Sequence, residues 1–423
     1  DNKTKHIFIQ GLEGSSIALF FSNLLEHKQA HIIIANDLDE AGYLYNDLVQ
    51  INGNDHILLF PSGYKRDIKY GQPDPPSEIL RTEVLNRLCQ KGESLLIVTY
   101  PEAIAEKVVP VNMLSEQTLH IDKNSKCDII TLSDKLRERG FEEVDYVYEP
   151  GQFAVRGSIL DVFSYTNELP YRIDFFGKEV ESIRTFEVET QLSTGKLEEV
   201  YIVANVCGQE ASGISILDFI DKNTILICHN LSWVIDRIST IASESLSEQT
   251  LIAEEGDRYA MQKIIDVTAF QKKITTFRRI DYGTSSEANT PAVIRFNCAP
   301  QGVYHKNFDL VSQSFSQFIE KGYTLYILSD SEKQIERLQA IFEERGDSIS
   351  FTPVLKTLHE GFVDNDLKIG CFTDHQIFDR FHKYTLKSEH ARSGKLALSL
   401  KELNQIEVGD YIVHVAHGIG RFG

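Results

Sequence analysis

A chain of 423 residues is longer than one ordinary hydrophobic core organises, and at about 150 residues per unit it predicts roughly three domains. Its 42% hydrophobic, 10% aromatic and 25% charged residues are globular proportions, which exclude a mainly disordered or collagen-like chain. The balance of 43 Lys and Arg against 62 Asp and Glu gives a net charge of -19, which opposes non-specific attachment to a phosphate backbone and leaves only local contacts with DNA.

Six cysteines, Cys89, Cys127, Cys207, Cys228, Cys298 and Cys371, are scattered without a C-x-x-C pair. That spacing argues against a disulfide framework or a zinc site and fits a reducing cytoplasm. No run reaches the ~18 apolar residues of a membrane span, and the charged start Asp1 to His6 carries no signal-peptide core. A strand already begins at His6, and Arg421 to Gly423 follow a strand that has no finish, so a fragment of a longer protein is expected.

In chain order, His6 to Ile9, His31 to Ala35, Ile57 to Phe60 and Leu95 to Thr99 are continuous apolar runs suited to buried parallel strands. Between the last two, Asp74 precedes Pro75 and Pro76, and Ile79, Leu80, Val84, Leu85 and Leu88 form one helical stripe. This α/β grammar is that of nucleotide-binding folds. From about Leu119 it changes: Phe153 to Arg156, Ile159 to Phe163 and Tyr171 to Phe176 read as short strands separated by Gly157 and the turn from Asn167 to Pro170. From about Gly208 the mixed grammar returns with the run Thr224 to Cys228, which is expected to complete the first sheet after an insertion. After a polar, turn-rich stretch from Asp281 to Thr290, Leu325 to Leu328 predicts a strand. The helix after it carries Ile335, Leu338 and Phe342 on one face and has Ser331 and Gln334 in capping-box positions. Lys387 to Lys401 reads as a linker, and Asp410 to Val415 as a new strand.

Gly11-Leu12-Glu13-Gly14-Ser15-Ser16-Ile17-Ala18 lies between the first strand and a helix, the place of a phosphate-binding loop. Ser16, Ile17 and Ala18 stand where that loop needs its second glycine, its lysine and its magnesium-binding hydroxyl, and Glu13 adds a negative charge. The machinery of phosphoryl transfer is therefore missing, which leaves a strand-to-helix turn or a weak anion nest. Thr373-Asp374-His375-Gln376 reads as a capped helix start, and the H-x-x-H spacing of His414 and His417 as a glycine-flanked turn rather than a metal site. No nucleophile, base and orienting group can be assembled from the sequence, so no catalytic residue and no metal are expected.

Alternation along Tyr171 to Phe176 turns Tyr171, Ile173 and Phe175 to a core and Arg172, Asp174 and Phe176 to the other face. By the same phase Phe153 and Val155 point inward while Gln152, Ala154 and Arg156 point outward. Arginine beside an exposed aromatic is typical of interface anchors, though a solvated sheet face with Arg172 paired to a carboxylate has the same residue types.

The strand, loop and helices at the start resemble the bacterial transcription-repair coupling factors, a family itself similar to the excision-repair helicase UvrB. The densest similarity runs from Gly140-Phe141 through Gly151-Gln152-Phe153-Ala154-Val155-Arg156-Gly157-Ser158-Ile159-Leu160-Asp161-Val162-Phe163, then through Pro170-Tyr171-Arg172-Ile173-Asp174-Phe175-Phe176-Gly177 to Ile183-Arg184. Gly361-Phe362 and Phe372-Thr373-Asp374-His375 are similar to the family's third domain, and Val408 to His414 with His417 to Arg421 to the start of its RNA polymerase-interacting domain. A UvrB proper would need an intact phosphate loop followed by an aromatic-rich DNA-clamping hairpin.

The resemblance implies a UvrB-like, degenerate helicase-type α/β domain with an inserted β-rich α+β domain, followed by a small α/β domain. Its implied bounds are 1–118 and 208–295 for the split first domain, 119–207 for the insertion, 296–386 for the third domain, 387–402 for a linker and 403–423 for a truncated polymerase-interacting domain. In that family the inserted domain docks UvrA, with Arg156, Arg172 and Phe176 in the matching positions and Asp174 as the carboxylate that orients the arginines. The implied function is a non-catalytic adaptor that recruits UvrA to stalled RNA polymerase. ATP and magnesium belong to a motor outside this chain, so no cofactor is expected here, with little DNA binding, no membrane and a monomer. The rival readings are an active UvrB-like ATPase and a structural lid on the motor.

Overall fold

The structure, a computed structural model, describes residues 5–64, 74–90, 92–123, 125–167, 169–188, 190–204, 213–249, 264–284, 292–382, 411–414 and 418–421. It divides into two compact units, Asp1–Tyr384 and Thr385–Gly423. It is a mixed α/β chain built on several sheets.

The continuous apolar runs form strands because both of their faces are covered. β1 (His6–Gln10), β2 (Ala30–Ile34), β3 (Ile57–Phe60) and β4 (Leu95–Thr99) lie in one parallel sheet, and every residue of β3 and β4 is buried. α1 (Ser16–Ser22) follows β1. α2 (Leu38–Asn52) is capped by the Asp37 side chain, which accepts from the Glu40 amide, and it ends at Gly53 (φ 81°). α3 (Pro75–Cys89) opens on its two prolines, and Asp74 takes the Ser77 hydroxyl at 2.6 Å rather than a backbone amide.

The chain then leaves this sheet through β5 (Thr118–Asp122) and α4 (Ile129–Glu138), which is capped by Asp128. Six strands follow: β6 (Glu142–Glu143), β7 (Gln152–Arg156), β8 (Ile159–Val162), β9 (Tyr171–Phe176), β10 (Glu179–Phe186) and β11 (Ser193–Leu197), in the spatial order β11-β10-β9-β8-β7-β6. One face packs Phe153, Leu160, Ile173 and Ile183 against Leu132 and Leu136 of α4. β12 (Glu199–Val203) runs back antiparallel to β5, with Val203 opposite Thr118.

β13 (Ile225–Cys228), β14 (Arg278–Gly283) and β15 (Val293–Arg295) rejoin the first sheet and extend it to β15-β1-β14-β13-β2-β4-β3. α5 (Leu231–Gln249) and α6 (Val267–Ile274) connect β13 to β14. The stretch expected as a turn from Asp281 onward starts inside β14, where Asp281 and Tyr282 are buried.

The next sheet contains β16 (Cys298–Pro300), β17 (Thr324–Leu328), β18 (Thr352–Val354), β19 (Phe362–Asp364) and β20 (Ile369–Thr373), in the order β16-β19-β20-β17-β18. α7 (Phe308–Glu320) is capped by Asn307, and α8 (Glu332–Glu344) buries Ile335, Leu338 and Phe342 as its stripe requires. Ser331 begins α8 without capping it through its side chain. Its own amide is held by the Ser329 hydroxyl at 3.2 Å. In the second unit β21 (Tyr411–His414) pairs antiparallel with β22 (Gly418–Arg421). The expected linker Lys387 to Lys401, Asp410, Val415, His417 and Cys207 lie outside the described residues.

Candidate functional site

The hairpin β8–β9 sets the site by register. Asp161 faces Arg172, Ile159 faces Asp174, and on the next strand Arg184 faces Arg172 and Ser182 faces Asp174. Arg156, Asp161, Arg172, Asp174 and Arg184 therefore share the face opposite the core, and Phe176 ends that row at the Gly177 turn, 78% exposed.

Asp161 is fully buried, and its two oxygens accept Arg172 Nε at 2.8 Å and Nη2 at 2.9 Å in a bidentate fork. Oδ2 also receives Arg156 Nη2. Arg172 Nη1 donates to the Gln191 carbonyl at 3.0 Å, and its guanidinium lies 4.3 Å from the Phe186 ring centre. The hydrogen bonds to Asp161 push the Arg172 pKa above its ordinary value and fix it as a cation. Arg156 is the more open of the two, its side chain 34% exposed against 13% for Arg172, and it rests 5.0 Å from the Tyr146 ring centre.

Two expectations change. The carboxylate that orients Arg156 and Arg172 is Asp161, not Asp174, because strand order places Asp161 between them. Asp174 instead holds Arg184 and the Ser182 hydroxyl, the latter at 2.6 Å. Ala154 is buried and Val155 is 37% exposed, the reverse of the expectation, because Val147, Phe163 and Phe186 cover the outer face around Ala154. Sequence reading missed Asp161, Arg184 and Tyr146. The available signal was an aspartate inside the apolar strand Ile159–Val162, since a buried carboxylate requires a cation.

The degenerate loop turns on two glycines and is held by its own backbone and by a neighbouring segment. Gly11 (φ 86°) and Gly14 (φ 53°) adopt left-handed conformations. The Ser15 amide donates to the Glu360 carbonyl at 3.2 Å, Ser16 N to Glu13 O at 3.2 Å and Ile17 N to Gly14 O at 3.4 Å. The Ser15 hydroxyl donates to Asp47 at 2.5 Å and accepts the Glu360 amide at 3.0 Å, while the His359 amide donates to the other Asp47 oxygen at 2.7 Å. A chain segment from the neighbouring sheet thus occupies the mouth of the loop. Burial pushes the Asp47 carboxyl up to about 7. Ser16 and Ala18 are buried in the packing of α1 and Ile17 is half-buried.

Thr373 begins the short helix Asp374–Ile377 as expected, but its side chain caps no backbone amide and its hydroxyl donates to Gln376 Oε1 at 2.9 Å instead, while Asp374 is buried against Ser329 and Arg380. Among the described residues no group of three or more His, Cys, Asp or Glu is arranged to hold a metal ion.

Residues 119–206 match the UvrB interaction domain. The whole chain is similar to transcription-repair-coupling factors: it is 23% identical to those of Staphylococcus aureus strains MRSA252 and Mu50 over 98% of its own length and 41% of theirs. It is 22% identical to that of Staphylococcus epidermidis over 99% of its length and 42% of that protein. The resemblance read from the sequence therefore extends along nearly the entire chain, which spans about two-fifths of the length of these relatives. Arg156, Asp161, Arg172, Asp174, Phe176 and Arg184 all fall inside the matched segment.

Proposed function

We propose that this chain is the non-catalytic adaptor part of a transcription-repair coupling factor, and that its 119–207 region recruits UvrA to stalled RNA polymerase for nucleotide excision repair. The match of residues 119–206 to the UvrB interaction domain carries this reading. On it, 1–118 and 208–295 form a split UvrB-like domain that has lost nucleotide hydrolysis, 296–386 a third domain, and 403–423 the start of a polymerase-interacting domain beyond a 387–402 linker. ATP, magnesium and translocation belong to parts of the relatives that this chain does not span. The chain acts in the cytoplasm as a monomer.

Support for a non-hydrolysing loop comes from the Glu360 carbonyl, which takes the Ser15 amide that a phosphate would otherwise use. Support for docking comes from the Arg156–Asp161–Arg172 cluster, which lies on the same sheet face as the exposed Phe176 ring. Calorimetric titration of purified UvrA tests the reading. Arg156→Ala and Phe176→Ala are expected to weaken binding by about 2 kcal/mol each and Arg172→Glu by more, with Lys222→Ala unchanged. Parent-like binding by all three folded variants would remove the assignment.

A further inference from the structure

The two arginines that Asp161 holds are not equivalent. Arg172 spends Nε and Nη2 on Asp161 and Nη1 on the Gln191 carbonyl, and its guanidinium lies against the buried Phe186 ring. Gln191 reaches that position in a left-handed conformation (φ 58°), which a residue with a Cβ adopts only under constraint, and its own amide donates to the Glu187 carbonyl at 2.8 Å. Every nitrogen of Arg172 is therefore engaged within the chain.

Arg156 makes one hydrogen bond among the described residues, from Nη2 to Asp161, and none of its nitrogens is buried without a partner, so Nε and Nη1 face solvent. One carboxylate cannot neutralise two guanidinium groups. Because the bidentate fork commits Asp161 to Arg172, the unbalanced positive charge falls on Arg156. Tyr146 supports Arg156 from the other side. The stretch between β6 and β7 is pinned by Val144 and Val147, which pack with Ala154, Phe163 and Phe186. It brings the Tyr146 ring against the Arg156 guanidinium while leaving the residue 49% exposed. Asp145 and Glu149 belong to the same stretch, yet among the described residues the ion pair of Arg156 is with Asp161 alone.

We propose that Arg156 and Tyr146 together form the contact that selects the partner: a carboxylate of the partner meets the open nitrogens of Arg156, and the Tyr146 ring takes the apolar surface next to that carboxylate. Arg172, Asp161 and Gln191 are positioning residues that the partner does not touch. The inference rests on the reading that the 119–207 region docks UvrA. Lysine would not serve at position 156, since a single ammonium cannot bond Asp161, lie on a ring and still offer a free planar edge.

The test is arginine modification by phenylglyoxal, read by mass spectrometry on the full chain with and without purified UvrA, alongside UvrA affinity by calorimetry. Arg156 is expected to be modified in the free chain and protected at saturating UvrA, and Arg172 to stay unmodified in both states. Affinity should fall about tenfold in Tyr146→Ala and in Arg156→Lys, with Tyr146→Phe and Lys222→Ala like the parent. Thermal unfolding checks that each variant folds. Arg172 modified in the free chain and protected by UvrA overturns the division of roles, and parent-like affinity in folded Tyr146→Ala overturns the contact. An unprotected Arg156 in a complex that Phe176→Ala still weakens also overturns the inference, and it leaves the docking reading standing. No UvrA binding by the parent chain, or binding indifferent to both Arg156 and Phe176, removes the docking reading and this inference with it.

Discussion

Asp161 shows how one side chain can fix a surface. Its buried oxygens receive three guanidinium nitrogens, so removing it strands two arginines rather than one contact. Asp161→Ala is expected to cost about 3–5 kcal/mol in urea unfolding, the range for breaking a buried ion pair, and to abolish UvrA binding even where the protein stays folded. Alternation in the sequence identified the face but not the neighbours on it. Asp174 and Asp161 both point outward, and only the order β7-β8-β9 decides that Asp161 sits between Arg156 and Arg172. Asp47 gives a residue-level pH dependence. Its carboxyl titrates at about 7 when folded and near an ordinary ~4 when unfolded, so across that interval the folded chain holds a proton that the unfolded chain has lost. The group's contribution to stability is therefore full below about pH 4 and declines as pH rises toward 7. Denaturant midpoints measured from pH 5 to 8 should fall with this slope in the parent, and the slope should flatten in Asp47→Asn.

At the level of elements, the loop from Gly11 to Ala18 depends on a neighbour that no local pattern reveals. A methyl group on Gly11 would stand 2.1 Å from the Phe296 carbonyl oxygen, and one on Gly14 would stand 2.9 Å from that of Gly361. Gly11→Ala is expected to destabilise by more than about 2 kcal/mol, through both the clash and the left-handed backbone, as read by thermal unfolding. Restoring a lysine alone should achieve nothing: Ile17→Lys is expected to show no ATP binding by calorimetry, because the Ser15 amide is already committed to Glu360. The parallel strands were legible because burial on both faces writes a continuous apolar run, and Ile57 to Phe60 and Leu95 to Thr99 match their strands residue for residue. The insertion of His359 to Gly361 into the loop was not legible, since what Ser15 and Asp47 hold there are main-chain groups of His359 and Glu360, which any residue could supply. Val155 misled for a related reason, as its exposure depends on what covers the sheet and not on its phase.

For the whole molecule, the charge of -19 sets the long-range field. Duplex DNA is expected to bind weakly at physiological salt, and fluorescence anisotropy should show the residual affinity vanish as salt rises. The ribbon β5–β12 has a different consequence. Because Thr118 and Val203 face each other across its ladder, the chain enters and leaves the six-stranded region through one narrow doorway. Everything between can be cut out and the two lips sealed by a short bridge without disturbing a strand of the seven-stranded sheet, and the excised piece could be set into another scaffold through the same two ends. The stretch that matches the UvrB interaction domain is thus carried as a removable cartridge.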